Sequence, residues 1–245
     1  MVKKKCFVKW PTLEECKKVY KGFENLERFK NVIDTMDGMY IPIKNALSKD
    51  SEVYFTRKKW YAIHYQGIVN NSDIFTSFDI GWLGLVHDAW VFRNSFLYKN
   101  YSNLIQDNDY LLGDSAYPIS PFLIPLFKDP GSWKHKEFNQ FHSRHRVIVE
   151  NCFGRLKARF RILKDLDVKT VKMRVLFTCC AIILHNFLEM NMDIWKVNSN
   201  DNTDDIDDKN DENDKDNNYT LRTDDEILKR AGQAKRNLIF HQYFP

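Results

Sequence analysis

The chain has 245 residues, 43% of them hydrophobic and 14% aromatic, with a formal net charge of +4. This length suits one domain, or one domain with a tail, and this apolar content excludes a chain that is disordered throughout. The charge is unevenly placed: Asn191 to Asn218 holds ten Asp or Glu and three Lys, a net of −7, which leaves +11 on the remainder. A basic body points to a polyanionic partner such as nucleic acid, although a plain basic soluble domain carries the same charge.

Residues 10 to 30 read as a helix, with Pro11 and the acidic Glu14 and Glu15 at its start and apolar residues recurring through Phe29. VIDTMDGMYIPI (32–43) alternates as a strand does. WYAIHYQGIVN (60–70) and IFTSFDIGW (74–82) are rich in β-branched and aromatic residues, with Asn70, Asn71 and Ser72 as a turn between them. Three consecutive antiparallel strands are therefore expected. A helix follows over His87–Tyr101, then a short buried strand in YLLGDSAYP (110–118). Pro121, Pro125, Pro130 and Gly131 mark 119–143 as mostly loop. Val149, Phe153, Leu156 and Phe160, spaced 4, 3 and 4, predict a helix over Arg144–Phe160. A further helix, apolar on most sides, covers Lys172–Glu189. The Asp/Asn-rich stretch 199–218 has no periodicity and reads as a disordered linker. A last helix is expected over Asp224–Arg236, with Thr223 and Glu226 as a capping box.

Several function classes recede at this point. The five cysteines (Cys6, Cys16, Cys152, Cys179, Cys180) form no CxxC pair and are odd in number, which argues against a zinc site or disulfide framework and for reduced, buried thiols. The opening MVKKKCFVKWPTLEE has no apolar run and does not read as a signal peptide. The most apolar run, Val175 to Met190, reads as too short for a bilayer and as a buried helix containing His185 and Asn186.

Three carboxylates draw attention. Asp37 sits in a strand among Met36, Met39, Ile41 and Ile43, where a charge is costly unless paired or bound to metal; the plain alternative is an Asp-Gly turn. Asp114 ends a core strand, where ligands gather in α/β sheets but where simple loop caps are also common. Glu150 lies beside the apolar stripe of a helix dense in cations, and could face a metal or pair with Arg146 one turn away. Converging carboxylates suit a pair of Mg²⁺ ions, which activate a water and stabilise the leaving oxygen in phosphodiester cleavage.

MDGMYIPI (36–43), GWLGLVHDAWVFRNS (81–95), LLGDSAYP (111–118), SRHRVIVENCFGRLKARF (143–160) and ILHNF (183–187) resemble, in this order, the blocks of the Harbinger-type (PIF/Harbinger) DDE endonuclease family of transposases and transposase-derived nucleases. The resemblance covers roughly residues 8 to 190; Met36 and Met39 stand where relatives commonly differ. It implies an α/β, RNase H-like fold: a mixed five-stranded sheet flanked by helices. It divides the chain into a remnant N-terminal helical segment (1–30), the DDE endonuclease domain (31–190), an acidic linker (191–220) and a C-terminal helical segment (221–245).

The family's I-D-G-T, G-D-x-x-Y-P and R-x-x-V-E blocks imply Asp37, Asp114 and Glu150 as the catalytic, metal-holding triad, with 35 positions between the last two. Asp88, in a G-x-x-H-D block, is implied as a further metal ligand or as a helix cap, with His87 in support. His185 and Asn186 of ILHNF are expected in core hydrogen bonds. Asp34 is expected on the opposite strand face from Asp37, and Asp79 matches no block. Arg155, Lys157, Arg159 and Arg161 are the expected phosphate contacts. The implied cofactor is Mg²⁺ or Mn²⁺; the implied partners are DNA, a separate helix-turn-helix DNA-binding protein and a second copy of the chain, with no membrane; the implied place is the nucleus. Two readings compete with a metal-dependent DNA nuclease: a domesticated DNA- or protein-binding derivative without catalysis, and an RNase H-like hydrolase acting on RNA.

Overall fold

In the computed structural model, the described residues are 7–26, 29–44, 51–56, 59–106, 108–168, 170–193 and 223–244. The expected meander forms: β1 (Val32–Pro42), β2 (Ala62–Val69) and β3 (Phe75–Leu83) pair antiparallel in sequence. β4 (Tyr110–Gly113) then pairs parallel to β1, and β5 (Leu123–Pro125) parallel to β4. The sheet order is β3-β2-β1-β4-β5, the mixed five-stranded α/β arrangement of an RNase H-like fold. Every residue of β2 is buried, as suits a strand covered on both faces. At the β2–β3 turn the Asn70 carboxamide oxygen accepts from the backbone N–H groups of Ser72 and Ile74.

The helices are α1 (Leu13–Leu26), α2 (Asp88–Asn94), α3 (Phe96–Leu104), α4 (Trp133–Arg159), α5 (Val171–Met190) and α6 (Thr223–Tyr243). Two expectations need correction. The single helix over 87–101 is two, because Ser95 adopts extended backbone and its hydroxyl accepts the Tyr98 N–H, capping α3. The stretch 119–143 is not mostly loop: it contains β5, and α4 begins at Trp133, capped by the Ser132 hydroxyl. Pro125 ends an edge strand, where a proline is tolerated, and Pro130 lies just before the α4 cap.

One core joins β1 and β2 to α4 and α5 through Met39, Tyr65, Val149, Phe153 and Ile182. On the other side Ile33, Met36 and Ile68 meet Phe92 and Leu97 of α2 and α3. α1 and α6 share a third cluster, in which Phe23 and Phe240 gather with Phe138 of α4. Both terminal helices thus pack on the body that carries the sheet. α6 runs well beyond the expected Arg236 because Ile239, Phe240 and Phe244 are buried there. It lies across the β5 edge: a side chain at Gly232 would meet the Ser120 backbone, and Arg236 points at the carbonyls of Pro125 and Leu126. Cys16 and Cys152 are buried free thiols, whereas Cys180 is exposed. Cys6 and the acidic stretch 199–218 lie outside the described residues.

Candidate active site

β1 is the platform of the site. Its parallel register with β4 pairs Thr35 with Leu112, so continuing two residues along each strand sets Asp114 level with Asp37 and on the same face. In β2 the partner of Asp37 is Gly67. A Cβ there would lie 2.7 Å from the Phe153 ring, so this glycine lets α4 settle close over the strand. α4 brings Arg146 and, one turn on, Glu150 to the same face.

Arg146 is the centre of the group. It donates to the Asp37 Oδ2 at 2.7 Å, and the same nitrogen lies 3.4 Å from Glu150 Oε1. The Arg146 and Asp37 side chains are 11% and 18% exposed, against 41% for Glu150. Burial pushes the Asp37 carboxyl up; Arg146 opposes this, and the neighbouring Asp114 and Asp88 charges add to it, so that it stands at about 7. Arg146 is correspondingly held in its charged form by Asp37, Asp114 and Glu150, despite its burial. Asp114 accepts a short hydrogen bond from the Ala116 N–H, which fixes its carboxylate in the turn after β4.

Asp88 is placed differently. Gly38 follows Asp37 and so faces the other side of the strand, and a Cβ at Gly38 would lie 2.1 Å from Asp88 Oδ1. Asp88 sits in that gap, 2.9 Å from His64 Nε2, with a longer contact of 3.4 Å from the Tyr117 hydroxyl. Burial raises its carboxyl, but His64, Tyr117 and His87 outweigh this and hold it below its ordinary value. The helix cap is His87, without a side-chain bond, so the capping reading of Asp88 does not hold. Asp34 is buried and accepts from the Thr76 hydroxyl, while Asp79 accepts from the Phe96 N–H.

The expected phosphate contacts divide. Arg155 pairs with Asp73 and Glu189 at 2.6 Å, and Arg159, only 4% exposed, pairs with Glu189 and Asp193. These pairs lock α4 to α5 and to the β2–β3 turn. Arg161 is exposed and Lys157 half-buried. His185 and Asn186 behave as expected: His185 contacts the Asp73 carbonyl at 3.0 Å, and Asn186 bonds both the N–H and C=O of Phe75, as a neighbouring strand would. The Cys152 thiol lies 3.4 Å from His185, but burial pushes it well above its ordinary value, which removes it as a nucleophile.

Among the described residues no three His, Cys, Asp or Glu side chains are assembled so as to hold a metal ion. The chemistry of the donors nonetheless fits one. Asp37, Asp114 and Glu150 offer hard oxygen donors on one face, and three carboxylates carry more negative charge than one guanidinium balances. Arg146 stands where a cation would have to enter. Sequence reasoning paired Arg146 with Glu150 but missed its closer bond to Asp37, and it missed His64; a histidine within the mainly apolar strand AIHYQGIV was the available signal.

A family model described as DDE superfamily endonuclease matches residues 36–186. The chain is 27% identical to "Protein ALP1-like" of Arabidopsis thaliana, over 73% of this chain and 48% of that protein. It is 26% and 25% identical to "Putative nuclease HARBI1" of Bos taurus and Homo sapiens, in each case over 77% of this chain and 55% of the relative. The chain therefore spans about half the length of the curated relatives it matches. No solved structure matches it. With the sheet order, the ordered motif blocks and a family match over most of the chain, this protein belongs to the DDE superfamily endonuclease family.

Proposed function

We propose that the protein is a divalent-metal-dependent DNA endonuclease of the DDE transposase type, with Asp37, Asp114 and Glu150 as its metal-holding carboxylates. The observation that carries this reading is that three carboxylates from β1, the β4 turn and α4 surround a single guanidinium on one sheet face. A bound Mg²⁺ or Mn²⁺ would supply the positive charge that activates a water and stabilises the leaving oxygen. The chain's own part is to orient: Ala116 fixes Asp114, Arg146 fixes Asp37, and His64 with Tyr117 fixes Asp88 on the other side of β1. Water attacks the phosphorus in line, the phosphorus–oxygen bond to the leaving sugar oxygen breaks, and no covalent enzyme intermediate is needed. Asp88 is assigned a positioning role. Lys157 and Arg161 are the retained phosphate contacts, and the basic body supplies the remaining attraction to DNA. Target choice is assigned to a separate helix-turn-helix partner, and the place of action to the nucleus, where the substrate is.

Calorimetric titration with Mn²⁺ tests the ligand set. Binding by the wild type and its loss in Asp37→Asn and Asp114→Asn is the expected result; binding that survives both substitutions overturns it.

One observation favours a second reading, a DNA-binding derivative without cleavage. Arg146 already ties Asp37 to Glu150, as a permanent replacement for metal would. In that case the wild type binds DNA but takes up no Mn²⁺.

A further inference from the structure

α5 packs on the sheet by one side only. Arg174, Thr178, Ala181, Ile182, His185 and Asn186 are buried. On the opposite side Met173, Leu176, Phe177, Leu184, Phe187 and Met190 are each 37% to 53% exposed, with Cys180 exposed among them. This corrects the reading of Val175 to Met190 as a buried helix too short for a bilayer: one side is exposed, and the full helix, Val171–Met190, is by length and composition long and apolar enough to cross one. Met173, Phe177, Cys180, Leu184 and Phe187 follow at steps of three and four, with Leu176 and Met190 beside them, one continuous stripe of about 26 Å at 1.5 Å per residue.

We propose that this stripe is a homodimer interface, in which α5 of two copies pack antiparallel about a twofold axis near Ala181 and Ile182. A twofold interface needs a self-complementary surface, and the outer residues of the stripe match: Met173 and Met190 lie equally far from the centre, as do Leu176 and Phe187, while near it Cys180 faces Ile183 and Leu184 faces Cys179. The end charges agree. Lys172 is exposed at one end, and Asp193, the 47% exposed partner of Arg159, lies just beyond the other, so the antiparallel pair brings unlike charges toward each other at both ends. Opposed helix dipoles add to this. The area is at the low end: six half-exposed side chains offer about 500 Å² per copy, so two copies bury at most about 1,000 Å², which suits a weak, concentration-dependent dimer.

A lipid bilayer fits less well. Leaving the sheet for a membrane would strip Asn186 from Phe75 and Phe7, and Arg174 from the Val168 carbonyl, and would carry those groups into hydrocarbon unpaired.

The test is sedimentation of the full chain at tens of micromolar. A wild-type dimer and a Leu184→Glu monomer with an unchanged circular dichroism melt are expected. The direction of packing is read by Leu184→Cys treated with oxidised glutathione, whose reduction balances the loss of two thiol hydrogens. A disulfide-linked dimer is expected, formed with Cys179 or Cys180 of the other copy, and it should vanish in Cys179→Ser/Cys180→Ser/Leu184→Cys. A cross-link that persists in the triple variant means parallel helices and overturns the proposal. So does a wild-type monomer, a dimer untouched by Leu184→Glu, or a wild-type monomer that sediments with phosphatidylcholine vesicles.

Discussion

Arg146 on α4 and Asp37 on β1 are joined at 2.7 Å, and the same guanidinium nitrogen extends to Glu150. The strand that supplies one carboxylate of the triad and the helix that supplies another are thus tied by one cation. Removing it in Arg146→Gln leaves Asp37 beside Asp114 and Asp88 without a counter-charge. Breaking a buried pair costs ~3–5 kcal/mol; with Asp37 still partly in contact with water, a loss of about 2–3 kcal/mol is expected here. A divalent ion should then restore more than it adds to the wild type. Thermal unfolding with and without Mn²⁺ checks this, and equal metal-induced shifts in the two proteins would show that Arg146 and the metal do not share a place.

Gly38 makes room for Asp88. In Gly38→Ala the new methyl carbon lies 2.1 Å from Asp88 Oδ1 and 2.9 Å from His64 Nε2. Overpacking of this kind costs about 1–3 kcal/mol, so the protein still folds, but Asp88 is displaced from His64. The expected result is a folded variant that has lost most of its DNA cleavage; full activity would remove Asp88 from any part in the site.

The basic residues of α4 and the turn after it should separate into two classes. Arg155→Ala and Arg159→Ala break pairs with Glu189 and lower stability. Lys157→Ala and Arg161→Ala weaken DNA binding uniformly across sequences, each reducing the slope of log affinity on log salt by about 1. Salt-dependent fluorescence anisotropy on a short duplex measures this. If Arg155→Ala alters the salt slope without altering the melt, the assignment is reversed.

The antiparallel meander was legible because it rests on local patterns: alternation in VIDTMDGMYIPI and two β-branched, aromatic runs either side of Asn70–Ser72. The five-stranded sheet and the three carboxylates came instead from the resemblance to the family's blocks, since each acid taken alone reads equally as a turn, a loop cap or a surface pair. What was not legible depends on distant contacts. Ser95 divides a helix because its hydroxyl caps the following one, though its neighbours are all acceptable in a helix. β5 is three residues long and exists because β4 offers it an edge. Arg155 and Arg159 resembled a phosphate-binding row until Glu189, thirty and more residues on, folded back against them. The Arg146–Asp37 bond spans 109 positions, beyond the reach of any local reading.

Two buried histidines make the fold sensitive to acid. Burial lowers His142 to about 3, although its Nε2 contacts the Ile124 carbonyl at 2.8 Å, and burial lowers His185 to about 4. Both start from an ordinary value of 6.5. At these two sites the unfolded chain binds more protons than the folded one between those values, so their contribution to stability rises with pH up to about 6.5 and is lost as pH falls toward 3, while the raised Asp34 and Asp37 carboxyls contribute with the opposite sign. His142→Gln, which keeps a donor for Ile124, should flatten that slope in urea unfolding measured across this range. An unchanged slope would place the acid sensitivity elsewhere.

The most direct measurement is the nicking of supercoiled plasmid in Mg²⁺ or Mn²⁺ by the wild type, Asp114→Asn and Glu150→Gln, with the helix-turn-helix partner supplied where the chain alone is inert. Both substitutions remove a charge with little change of shape. Cleavage by the wild type and its loss in both variants, with DNA binding retained, is the predicted result. Cleavage that survives either substitution, or a wild type that binds DNA and never cuts it under any of these conditions, would contradict the account.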